Sequence, residues 1–256
     1  MILKPDSALV DTVRPSPNTG ERRLGQRPYL VVLHYTGMPS AAKAIDWLAD
    51  PDSNVSCHYV IDEGGVITQM VAEGLRAWHA GASYWAGETD INSVSIGIEI
   101  QNPGHEHGYP DFPPAQRHAV GALCRDIAER HGIAPEGIIA HSDVSPGRKI
   151  DPGEKFDWAW LAAAGVGHWV EPAPLEGGGA DPIPENDVAA ITEAQLLLRR
   201  YGYDIEAYGW LDERMRIVMR AFQLHFRPER ADGVLDHASL DTLSRLIATL
   251  PVPVTS

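Results

Sequence analysis

PYLVVLHY (residues 28–35) and SVSIGIEI (93–100) are the segments that most limit how this chain can fold. Both are rich in β-branched residues and too short for an amphipathic helix, so each is expected as a strand, the second a central one. The exceptions inside them are what matter. Along LVVLHY, Leu30, Val32 and His34 share one face, so His34 is the polar end of an apolar stripe. Along SIGIEI, Ile96, Ile98 and Ile100 take one face, and Gly97, Glu99 and Gln101 the other. A carboxylate in such a strand is costly to bury unless something binds it. Taken singly, each residue has an ordinary reading: a hydrogen-bonded histidine at a strand end, a glutamate on a solvated sheet face.

The neighbouring segments supply the rest of a sheet. CHYVI (57–61) and VITQMV (66–71), joined by DEGG, read as a hairpin, and GIIAH (137–141) as another short strand. Between strands, SAAKAIDWLAD (40–50) has the pattern of a helix. QRHAVGALCRDIAERHG places Val120, Leu123, Cys124, Ile127 and Ala128 at amphipathic spacing, with Gly132 set to end the helix. The expected fold class is α/β, a mixed sheet covered by helices. The stretch EPAPLEGGGADPIPEND (171–187) is Pro-, Gly- and acid-rich and reads as a linker. After it, residues 192–201, 212–226 and 238–249 each suit a helix, and strand patterns stop. The expected organisation is therefore 1–170, a linker at 171–187, and a small three-helix unit at 188–256. Charge divides the same way: residues 188–256 hold eight Arg and no Lys against nine Asp and Glu, leaving −13 of the net −14 in residues 1–187.

That acidity argues against nucleic acid as a partner, and no protein partner is inferable. No window approaches 18 consecutive apolar residues, so no membrane span is expected. The opening MILKPDSALVDTVRPSP lacks the apolar core of a secretory leader, which favours the cytoplasm, with the periplasm or cell envelope as the alternative through a trimmed or non-standard leader. Two cysteines, Cys57 and Cys124, do not make a disulfide framework and are expected as buried thiols.

HSDVSPGRKIDPG (141–153) is too kinked by Pro146, Gly147, Pro152 and Gly153 for one regular element, yet it carries His141, Lys149 and Asp151. With His34 from a strand end, His141 and Asp151 make a two-nitrogen, one-oxygen donor set. Three protein ligands and one open position are what a catalytic zinc uses. Glu99 and Lys149 would supply a base for its water and a cation for an oxyanion. His105 and His107, in a Gly/Pro loop without a third partner, are expected as solvated surface.

VVLHYTG (31–37), SCHYVIDEGGVI (56–67), AWHAG (77–81), SVSIGIEIQN (93–102) and AHSDVSPGRKIDPG (140–153) together resemble the zinc-dependent N-acetylmuramoyl-L-alanine amidases of the amidase-2 family, relatives of peptidoglycan recognition proteins. The resemblance implies one zinc ion per chain on His34, His141 and Asp151, with Glu99 and Lys149 catalytic. It implies cleavage of the amide between N-acetylmuramic acid and L-alanine in peptidoglycan, as intact sacculus or as 1,6-anhydro fragments. A non-catalytic recognition protein of the same fold is the alternative. His79 of AWHAG resembles a substrate-side residue, and Tyr35 and Asn92 are expected along the cleft. LLLRRYGYD (196–204), GWLDERMRIVMRAFQ (209–223) and ADGVLDHASLDTL (231–243) resemble a three-helix peptidoglycan-binding module. Because all five proposed metal and catalytic residues precede the linker, a chain ending at about residue 172 is expected to keep hydrolysis of soluble muropeptides.

Overall fold

The computed structural model describes residues 3–251. The strands are β1 (Thr12–Val13), β2 (Thr19–Glu21), β3 (Leu30–Tyr35), β4 (Tyr59–Ile61), β5 (Ile67–Gln69), β6 (Leu75–Ala77), β7 (Ser95–Ile100) and β8 (Ile138–Ala140). The helices are α1 (Ala41–Leu48), α2 (Ile91–Val94), α3 (Pro114–His131), α4 (His141–Val144), α5 (Trp158–Ala163), α6 (Val188–Tyr201), α7 (Glu213–Phe226) and α8 (His237–Ala248). Six strands form a mixed sheet in the order β1-β5-β4-β7-β3-β8, and β2 pairs with β6 apart from it. Among the described residues no helix is long and apolar enough to cross a membrane.

The two apolar runs lie side by side at the centre. β3 and β7 are parallel and in register from Leu30 opposite Ser95 to Tyr35 opposite Ile100, which sets His34 against Glu99 on one face. The opposite face carries Val31, Leu33, Ile96, Ile98 and Ile100 and packs with Val120, Leu123, Cys124 and Ile127 of α3 and Leu161 of α5. Gly132 ends α3 in the left-handed conformation, φ 68°, as its sequence position implies. Cys57 and Cys124 are both buried and free.

The His34 face has two coverings. Ala41 and Leu48 of α1 pack with Val60 and Met70 at the β4 side. Leu30, Val32 and Ile139 belong instead to one apolar cluster with Ile191, Leu198, Met219, Phe222 and Leu243 of α6, α7 and α8. The helical unit thus supplies a layer of the sheet's packing. Its three helices start at Asp187, Asp212 and Asp236, each of whose carboxylates accepts an N–H three residues on. Each such cap contributes about 1 kcal/mol.

Residues 171–187, expected as a linker, run along this unit: the Ala173 N–H donates to Thr242 Oγ1 (2.9 Å) and the Ile183 N–H to the Leu235 carbonyl (2.9 Å). Ala173 and Ile183 are the apolar residues that make this segment stick, and both are buried. Ending the chain near residue 172 uncovers Leu30, Val32 and Ile139. We therefore expect the truncated chain to unfold at clearly lower urea than the full chain, a shift that a midpoint measurement reads directly.

Six other elements differ from the sequence reading. Ser93 and Val94, expected to open the strand, instead end the single turn α2, and His141–Val144 form the turn α4 rather than open loop. The short strands β1, β2 and β6 and the helix α5 carry no periodic apolar signal; strand pairing defines the first three, and burial of Trp158 and Leu161 beside Phe156 defines α5.

Candidate metal centre and catalytic cleft

His34 sits one residue before the end of β3, Glu99 one residue before the end of β7, and His141 directly after β8. Three parallel strands therefore deliver their C-terminal ends to one place, where open α/β sheets carry their sites. Asp151 reaches the same place because its carbonyl accepts the Ser142 N–H (3.0 Å), closing the ten-residue loop back on His141. His34 Nδ1 lies 2.8 Å from His141 Nδ1 and 3.3 Å from Asp151 Oδ2, and His141 Nδ1 lies 2.9 Å from that oxygen. All three residues are buried.

The hydrogen-bond chain behind these atoms assigns the protons. Ser95 Oγ donates to the Ile91 carbonyl (2.6 Å), so it accepts from His79 Nε2 (3.1 Å). His79 Nδ1 is then an acceptor and takes the His34 Nε2 proton across 3.0 Å. His141 Nε2 donates to the Ala80 carbonyl at 3.1 Å. Both Nδ1 atoms are consequently bare, and they face each other and a carboxylate oxygen with no proton to share. Such a cluster of lone pairs needs a cation. Ligands about 2.0–2.1 Å from a tetrahedral zinc stand roughly 3.3 Å apart, close to the separations here, so the donor set fits that ion. Burial, with His141 facing it, holds the His34 imidazole down at about 4, in its neutral form.

Glu99 stands on the same face, and its Oε2 is buried with no hydrogen-bond partner. Burial, and then the negative charge of Asp151, push its carboxyl well above the usual range, while Lys149 pulls it back. A buried carboxyl oxygen without a partner is one that a water or a ligand group can reach by hydrogen bonding. His34, Glu99, Lys149 and Asp151 all line one cleft of about 550 Å³, together with Tyr35, Trp47, Trp78, His79 and the His105–His107 loop.

Of the residues expected along the cleft, Tyr35 is there, its hydroxyl 3.1 Å from His105 Nδ1. His79 reaches the cleft wall but spends both ring nitrogens on His34 and Ser95. Asn92 is not in the cleft: it is 7% exposed and lies behind it, where Oδ1 accepts the N–H groups of His79 (3.0 Å) and Ala80 (2.8 Å). Its place inside the buried turn α2 turns it inward. His105 and His107 sit on the cleft rim, and His105 also stacks on Tyr109 (3.9 Å between centroids) and pairs with Glu154 at 3.0 Å.

Sequence reasoning missed Gly97 as a site residue. A Cβ there would lie 2.5 Å from the His79 ring, so only glycine lets that ring pass over β7. A glycine inside a strand is the signal for such a close approach. Gly97→Ala is expected to cost about 1–3 kcal/mol through overpacking and to displace His79 from His34. Denaturant unfolding and zinc content of the purified variant check both effects.

Against this geometry, residues 24–154 match the family described as N-acetylmuramoyl-L-alanine amidase. The chain belongs to that family. Residues 187–243 also match the putative peptidoglycan-binding domain. The N-acetylmuramoyl-L-alanine amidase AmiD of Escherichia coli is 37% identical over 235 residues, covering 84% of this chain and 82% of AmiD. The 1,6-anhydro-N-acetylmuramyl-L-alanine amidase AmpD of E. coli is 32% identical over 57% of this chain and 86% of its own length. Among solved structures, AmiD in complex with the substrate anhydro-N-acetylmuramic acid-L-Ala-D-gamma-Glu-L-Lys has a TM-score of 0.74 at 36% identity, covering 87% of this chain and 89% of that one. AmpDh3 of Pseudomonas aeruginosa with anhydromuramic pentapeptide gives 0.75 at 34% identity, covering 90% and 95%. AmiD and AmpDh3 therefore share the fold of this chain over most of its length.

Proposed function

We propose that this chain is a zinc-dependent N-acetylmuramoyl-L-alanine amidase that hydrolyses the amide between the lactyl group of N-acetylmuramic acid and L-alanine, in peptidoglycan or its muropeptide fragments. The observation that carries the reading is the pair of bare imidazole nitrogens and the carboxylate converging beside the orphaned Glu99 oxygen. A zinc ion held by His34, His141 and Asp151 would supply Lewis acidity toward the scissile carbonyl and a lowered pKa for a water.

The remaining work falls to the protein. Glu99 takes the water's proton as its oxygen bonds the carbonyl carbon, and returns that proton to the alanine nitrogen as the C–N bond breaks. Lys149 donates to the oxygen that gains negative charge. His79 holds the His34 ring so that its bare nitrogen stays turned inward. The products are a muramic acid carboxylate and a peptide with a free L-alanine amine. A binding-only protein has no use for the Glu99 and Lys149 pair, which favours the enzyme.

Residues 188–256 are proposed to hold the polymer. Trp210, 59% exposed with Tyr208 beside it at 4.8 Å between ring centroids, offers an aromatic face to glycan. Mass analysis of a digest of anhydro-N-acetylmuramyl tripeptide tests the reaction: the intact tripeptide and the free sugar acid are expected. Shortened peptides still attached to the sugar would replace the amidase with a peptidase.

A further inference from the structure

Asp143 lies two residues after His141, in the single turn α4, and its carboxylate is fully buried. A buried carboxylate needs partners, and this one has three. Oδ2 accepts the Ala140 N–H at 2.8 Å, which caps the turn on itself. The other two come from the helical unit: the Tyr203 hydroxyl donates to Oδ1 at 2.6 Å, and His225 Nδ1 donates to Oδ2 at 2.7 Å. Tyr203 and His225 are buried as well, and the His225 ring is clamped between Trp158 (3.7 Å between centroids) and Phe226 (3.8 Å). The same helix α7 touches the loop a second time. A Cβ on Gly147 would lie 2.9 Å from Ile217, so the backbone leading to Lys149 and Asp151 rests directly on α7.

We propose that Tyr203 and His225 are positioning residues of the metal centre: by holding Asp143 they set the angle at which α4 presents His141. The helical unit is then part of the catalytic apparatus as well as a polymer-holding module. The proposal rests on the metal assignment above. The physical reason is leverage. α4 is one turn long and has no helical stability of its own, so its orientation follows the groups that grip it. Without the Tyr203 and His225 donors, Asp143 keeps one amide partner. Desolvation then drives its carboxylate toward water and turns α4 with it. Partners standing behind a ligand in this way typically govern metal affinity or activity by about 10–100-fold.

The test uses the full chain. Tyr203→Phe deletes one hydroxyl and keeps the ring; His225→Ala removes the other donor, and His225→Asn restores a donor at that position. Zinc affinity is read by chelator competition, site geometry by the visible spectrum of the cobalt-substituted protein, and stability by thermal unfolding. Tyr203→Phe and His225→Ala are expected to bind zinc about tenfold or more weakly and to shift the cobalt spectrum, with His225→Asn returning toward wild type. Leu243→Ala, in the same apolar cluster but on α8, which supplies none of the hydrogen bonds to Asp143, is the control and is expected to lower the melting temperature alone. Unchanged zinc affinity and spectrum in Tyr203→Phe and His225→Ala would overturn the proposal, as would an equal loss in Leu243→Ala. Should Tyr203→Phe fail to fold, the comparison of His225→Ala with His225→Asn decides. Because these readouts do not use substrate, their failure is distinct from failure of the muropeptide assignment, which the wild-type digest alone reports.

Discussion

Glu99→Gln is expected to leave the protein folded and zinc-loaded and to lose about 10²-fold or more in turnover, the usual scale for a general base. The substitution preserves shape and removes only the ability to accept a proton as a carboxylate. Folding should suffer little, because Oε2 has no protein partner to lose and burial already works against the charged form. The melting temperature of the metal-free variant is therefore expected at or above that of the metal-free wild type. Lys149→Ala is expected to lose a comparable factor through the oxyanion, about 10²–10³. Turnover numbers on a soluble muropeptide, measured beside zinc content, separate these effects from loss of metal. Near-normal turnover in Glu99→Gln would place the base elsewhere.

The His34→Ala/Asp151→Ala double variant is expected to fold, to hold no stoichiometric zinc and to show no hydrolysis above background. Only one of three donors remains, and a single imidazole cannot compete with buffer for the ion. Folding survives because the sheet has its own apolar packing on both faces, unlike small domains that zinc alone organises. Added zinc raises the wild-type melting temperature by mass action and leaves that of the double variant where it is. Chelation of the wild type likewise removes activity without unfolding the chain. Stoichiometric zinc in the double variant would show that the ligand set is wrong.

Much of this site could be read before any tertiary contact was known, because it depends on residue type and local period. The alternation in LVVLHY and SIGIEI marked His34 and Glu99 as misfits in apolar strands, and both lie on one face as register partners. The prolines and glycines of 141–153 marked a loop that brings His141 to Asp151, now 2.9 Å apart at their donor atoms. The three C-terminal helices begin within a few residues of their expected positions, each behind an aspartate cap. These features are encoded within one turn or one strand, where neighbours along the chain are also neighbours in space.

What only the tertiary structure decided is every pairing between distant segments. Nothing local in Asn92 says that its side chain turns back to hold the His79 amide, and nothing in His79 says that it serves His34 and Ser95. The acid-rich stretch 171–187 and the helices after it read as a separable module, yet Leu30, Val32 and Ile139 share one apolar cluster with them. The physical reason is that a strand's period shows which residues share a face but not what covers it. Sixty residues separate Asp143 from Tyr203. Their hydrogen bond exists because burying that sheet face against α6–α8 brings the two groups together, and no window of sequence contains both.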